Sequence, residues 1–154
     1  MGTRSMIARA EADGSFRAIY CHWDGYPAHN GRLLLNHYSD PDRVGALLEL
    51  GNLSSLAEEI GEQHPFDRPD GLDREAYDAR WGKMTTAFGR DRGEKDQQAQ
   101  SLPSFRDLSR MARGCCAEWL YVWLDERWLF APVPSTGRGP TLSRMALLTE
   151  ETIR

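Results

Sequence analysis

The chain is short of the features that most readily announce a function. It has three cysteines, Cys21, Cys115 and Cys116, an odd number with two of them adjacent, which makes no disulfide framework. That usage suits a reduced, cytoplasmic protein. No apolar run approaches the ~18–20 residues of a membrane span, and the opening Met-Gly-Thr-Arg-Ser-Met-Ile lacks the hydrophobic region of a signal peptide. Charge of one sign is scarce too: 19 Lys and Arg stand against 23 Asp and Glu, a net charge of −4. So mild a balance argues against direct nucleic-acid binding, which needs a basic face to neutralise phosphates. It is equally too weak for a DNA mimic. Phosphate-loop and dinucleotide glycine spacings are missing, and so is any strong metal-ligand template.

What remains is a chain of 154 residues, the size of one domain, with 40% hydrophobic and 27% charged residues. Its densest chemistry lies in Ile19-Tyr-Cys-His-Trp-Asp-Gly-Tyr-Pro-Ala-His-Asn-Gly31, which leaves a strand, crowds aromatic and imidazole rings into a Gly/Pro turn and enters a helix. Upstream, Asp13-Gly14 predicts a hairpin of strands 3–12 and 15–23, because a tight turn needs positive φ and glycine supplies it. Downstream, a short helix over 31–38 is followed by Asp40-Pro41, a cap and a first helical residue, with Val44, Leu47 and Leu48 as the core stripe. The capping-box spacing of Ser55 and Glu58 predicts a third short helix through Ile60.

Residues 58–80 hold eight acids and three arginines, with Pro65, Pro69 and Gly71 among them. They read as an acidic surface loop with one helical turn near 73–80. Met84–Phe88 has strand character, and Gly89-Arg-Asp-Arg-Gly-Glu-Lys-Asp96 reads as a charged turn. Ser104 caps a helix with a Phe105, Leu108, Met111/Ala112 stripe. Trp119–Leu124 is a buried strand that turns at Asp125–Arg127 into Trp128–Phe130. A Pro/Gly loop over 131–140 leads to a C-terminal helix over 142–153, with Thr141 as its cap. The expected fold is therefore α+β: an antiparallel sheet built from N- and C-terminal hairpins plus a middle strand, with short helices packed on one face.

Two chemistries compete for the 22–31 turn and the 89–96 loop. In a binding protein, the contact surface is these two loops with the acidic 58–80 segment: Trp23 and Tyr26 are rigid aromatic anchors beside His29, while Arg90, Arg92 and Glu94 make charged contacts. In a small enzyme or nucleotide-binding protein, His22 is the general acid/base, Asp24 orients it, and Arg90 and Arg92 hold a phosphate. That second reading needs both loops in one pocket. The spacing of His22, Asp24, His29 and His37 matches no metal template, so neither a metal ion nor a cofactor is expected. A third reading, an assembly component, predicts a homo-oligomer.

His22-Trp-Asp-Gly-Tyr-Pro27, followed by Gly31, Leu33-Leu-Leu35, His37-Tyr38, Val44 and Gly51-Asn-Leu-Ser-Ser-Leu56, resembles a family of small uncharacterised proteins carried by phages, prophages and plasmids. The leading Gly2-Thr-Arg-Ser5, Asp13-Gly14 and Gly89-Arg-Asp-Arg-Gly-Glu94 fit the same pattern, so the resemblance spans about residues 2–96. It implies only a setting, an accessory gene on mobile DNA expressed in a bacterial cytoplasm, and it brings no established active site to carry over. Accessory proteins of that kind commonly bind and block a host protein or a defence complex, CRISPR–Cas included. This makes an inhibitor, an anti-CRISPR among the options, the leading expectation.

Overall fold

The computed structural model describes residues 2–154. The N-terminal hairpin pairs β1 (Ser5–Ala10) with β2 (Phe16–Cys21) in antiparallel register, Ile7 opposite Ile19. Its turn has Gly14 at φ 88° and closes with Gly14 N–H donating to Glu11 O at 3.0 Å. Three helices and one strand follow: α1 (Arg32–His37), α2 (Pro41–Glu49), β3 (Leu53–Ser55) and α3 (Arg74–Trp81). Next come β4 (Thr86–Ala87), α4 (Phe88–Arg92), β5 (Gln100–Leu102) and α5 (Phe105–Gly114). The C-terminal hairpin is β6 (Trp119–Leu124) and β7 (Arg127–Pro132), and the chain ends with β8 (Ala146–Leu147) and α6 (Glu150–Ile153). Asp125 and Glu126 both take positive φ, 52° and 58°, as a two-residue hairpin turn with right-handed strand twist requires.

The strands form one sheet in the order β4-β3-β2-β1-β6-β7-β8, with β5 paired to the other end of β2's outer edge. The class is α+β, as expected. The sheet is mostly antiparallel but mixed. β1 runs parallel to β6, Ser5 opposite Trp119 through Arg9 opposite Trp123, and this pairing joins the two hairpins at the centre. β2 and β3 are parallel as well.

Helices cover both faces of the sheet rather than one. Leu34 of α1 and Val44, Leu47 and Leu48 of α2 pack with Ile7, Ile19, Tyr121, Trp128 and Phe130 on one side. Leu108 and Ala112 of α5 pack with Met6, Ala8, Ala18, Leu120 and Val122 on the other. The cause is legible in β1 and β6, which alternate large apolar residues to both sides, so each side must be removed from water.

Three further expectations are corrected. No helix starts at Ser55: the 53–55 segment is a strand, because the backbone N–H groups of His22 and Trp23 donate to Leu53 O and Ser54 O, both at 3.0 Å. The 89–96 turn begins as a helix, α4, which ends at Gly93 with φ 71°. The 142–153 helix is broken into a 3-10 turn, β8 and α6, because β8 completes the outer edge of β7 and Thr149 caps only the last turn. The caps at Asp40 and Ser104 are as expected: Asp40 accepts from Asp42 N–H and Arg43 N–H, and Ser104 from Asp107 N–H. Among the described residues, no helix is long and apolar enough to cross a membrane.

Candidate functional site

The turn after β2 is bolted down from beneath. Asp24 sits in the left-handed region at φ 55° and swings the chain back over the end of β1. Gly25 N–H donates to Thr3 O at 2.7 Å, and a Cβ at Gly25 would lie 2.7 Å from Ser5 Cβ and 2.8 Å from Thr3 O, so only glycine fits. Tyr121, wholly buried in β6, donates its hydroxyl to Gly25 O at 2.6 Å. A π-helical turn, Pro27–Gly31, carries the chain into α1.

Inside that turn Asn30 is fully buried, and its amide binds four groups. Its Nδ2 donates towards Trp23 O at 3.3 Å, and lies 3.4 Å from both Ser5 Oγ and Cys21 Sγ. Its Oδ1 accepts from His29 Nδ1 at 2.9 Å. Cys21 has no exposure, and burial pushes its thiol up to about 11. The neutral, enclosed sulfur is a packing and hydrogen-bonding group, not a nucleophile.

Above this floor Trp23 and Tyr26 are 44% and 40% exposed. They are two of the three exposed large hydrophobic side chains among the described residues, the third being Leu147. Beside them runs a groove of about 430 Å³. Trp23, Asp24 and His29 form one wall, and Asp67, Tyr77, Asp78 and Trp81 help form the other. α3 presents Tyr77 and Trp81 one turn apart, with ring centroids 5.4 Å apart, and Asp73 caps it by accepting from Ala76 N–H. The acidic 58–80 segment and the aromatic turn therefore share one surface. Tyr77 and Trp81 were not singled out from sequence, although their i, i+4 spacing is the signal for them.

The 89–96 segment has another role. Arg90 Nε donates to Asp91 Oδ1 at 2.9 Å, Nη1 to Ile60 O at 2.8 Å and Nη2 to Thr85 O at 2.7 Å. The Asp91 side chain is fully buried and accepts from the backbone N–H groups of His64 at 3.1 Å and Ala87 at 2.8 Å. His64, 5% exposed, lies with Nε2 3.0 Å from Thr85 O and Nδ1 3.0 Å from Pro65 O. Arg90 thus stitches the 60–65 loop to β4 and α4. Each of its three nitrogens donates within the fold, so Arg90 is no free surface cation. Arg92 lies over the Phe66 ring at 4.1 Å and its Nε donates to Glu94 Oε2 at 2.6 Å, so Arg92 and Glu94 first engage each other.

The two loops are not brought into one pocket. No residue of 89–96 lines the groove beside Trp23; Gly89, Glu94, Lys95 and Asp96 line a separate hollow with Glu49 and Leu50. His22 Nδ1 meets Tyr20 Oη at 2.8 Å, and among the described residues no hydrogen bond joins His22 to Asp24. An acid/base pair with a phosphate clamp is not assembled. Nor do three His, Cys, Asp or Glu side chains converge anywhere among the described residues. Comparisons of the chain with models of protein families, with curated proteins and with solved structures returned no match.

Proposed function

We propose that the chain acts by binding rather than catalysis: an accessory protein of a mobile genetic element that occupies and blocks a host protein or a defence complex, as an anti-CRISPR does, in the bacterial cytoplasm. One observation carries this reading: the exposed pair Trp23 and Tyr26 stands on a backbone already fixed by Asn30, Gly25 and Tyr121. Aromatic side chains with few rotatable bonds, held on a rigid turn, lose little entropy on association, which is what interface anchors require. Asp24, Asp67 and Asp78 border the adjoining groove, with Arg74 the cation among its lining. That charge favours a partner presenting a basic patch, such as the nucleic-acid groove of a defence complex.

The test is capture of partners by immobilised protein from lysate of a bacterium carrying CRISPR–Cas, run with wild type, Trp23→Ala/Tyr26→Ala and Asp67→Asn/Asp78→Asn. Wild type is expected to retain a defence complex that both variants lose while keeping the wild-type melting temperature. Equal capture by all three overturns the surface assignment.

A further inference from the structure

A second cleft lies between α5 and the loop 137–143, with a volume of about 770 Å³. That is within the ~300–1,000 Å³ range of small-molecule sites. Arg106, Arg110 and Arg113 enter it from one side of α5, at i, i+4 and i+7, while Leu108 and Ala112 on the opposite side hold the helix to the sheet. Arg138 reaches it from the loop, and an adjoining hollow adds Arg144. No lining residue is acidic, and none of these five arginines has an ion-pair partner among the described residues. A chain of net charge −4 has therefore gathered unpaired guanidinium groups in one place.

Arg113 makes the cleft more than a solvated basic face. Its Nη2 is buried without a hydrogen-bond partner, the one such side-chain atom among the described residues. A buried donor left unpaired is costly, and a guanidinium more so than a neutral group. The atom lies beside Gly139, where a Cβ would stand 3.5 Å from it, so loop and helix meet closely at this point. Phe105, Pro140 and Leu142 give the same cleft an apolar wall.

We infer that this cleft binds a nucleoside di- or triphosphate. Planar guanidinium forks match phosphate oxygens in pairs, and four of them balance the charge of a polyphosphate. The apolar wall suits a flat, uncharged base, and Phe105 offers it an aromatic ring. The site is independent of the Trp23–Tyr26 surface.

Isothermal titration calorimetry of the full chain with ATP, GTP, adenosine, inorganic pyrophosphate and an oligothymidylate strand tests this. ATP or GTP is expected to bind one per chain, at least about tenfold tighter than either adenosine or pyrophosphate, because phosphate and base contacts both contribute. The double variant Arg106→Ala/Arg110→Ala, at two exposed positions, should weaken that binding by about tenfold or more without moving the melting temperature. Trp23→Ala should leave it unchanged. Four results would overturn the inference: no heat from either nucleotide; pyrophosphate binding as tightly as ATP; the oligonucleotide binding tighter than both nucleotides; or unchanged nucleotide affinity in the double variant.

Discussion

At Arg90 the guanidinium meets an oxygen at each of its three nitrogens, from the Asp91 carboxylate, Ile60 O and Thr85 O. At Arg113 one nitrogen is hidden from water and meets none. The first side chain lies in a stretch of alternating charge that reads as an exposed, ligand-ready turn, and it is internal mortar. The second lies on the side of α5 away from Leu108 and Ala112, and it lines an open cleft. Arginine's role is set by where its donors end, and those ends are fixed by partners distant in sequence. A satisfied guanidinium holds a fold together; an unsatisfied one, kept in place by the packing around it, awaits an acceptor.

The sharpest way to break this contrast is Asp91→Ala. It leaves Arg90 without its counter-charge and strands the N–H groups of His64 and Ala87, so a loss of about 3–5 kcal/mol is expected in urea unfolding. A loss under about 1 kcal/mol would show the network to be dispensable.

A neutral counterpart lies under the turn. A free thiol titrates near 9.0 and the buried Cys21 near 11, so the folded state favours the protonated form. The stabilisation is complete below pH 9 and is lost as pH rises towards 11, approaching about 2–3 kcal/mol. Cys21→Ala should flatten the alkaline limb of the stability curve between pH 9 and 10, before the buried tyrosines contribute. A limb unchanged by the substitution would place the alkaline loss elsewhere.

Smaller still is Tyr121→Phe, which removes the hydroxyl from Gly25 O and should cost about 1–2 kcal/mol by thermal unfolding. If the turn then loosens, partner capture by Trp23 and Tyr26 falls with it; undiminished capture would show that the anchors need no support from beneath. The least effect is expected from Arg113→Met. Removing a buried, unpaired donor should leave stability within about 0.5 kcal/mol of wild type or raise it, the opposite outcome to Asp91→Ala. A loss above about 2 kcal/mol would reveal a structural partner for Arg113 and merge the two cases.

Much of the frame was legible because its signals are local. Asp13-Gly14, Asp40-Pro41, Ser104 and the Trp119–Leu124 run each contain, within a few residues, the reason for their own conformation. The misread parts are those whose conformation is imposed from elsewhere. β3 and β8 are three and two residues long, too short to show a period, and exist because β2 and β7 offer unpaired edges. Of the site, the exposed aromatic pair was readable from Trp23 and Tyr26 beside turn residues. Asn30, His64 and Asp91 were not, since a buried polar residue looks like a surface one until its partners are known. The arginine cleft was hidden for the same reason: Arg106, Arg110 and Arg113 are eased apart from Arg138 by more than twenty residues of intervening chain.

The parallel seam between Ser5–Arg9 and Trp119–Trp123 has a bearing on how the molecule comes into being. The first hairpin can close as soon as it leaves the ribosome, but the neighbour of its inner strand is synthesised more than a hundred residues later. For that whole interval β1 offers an open backbone edge and two greasy sides to the cell. Folding of this chain is therefore expected to be slow and held back until Trp119–Trp123 has been made, and a nascent polypeptide arrested before Trp119 is the species that chaperones must shield.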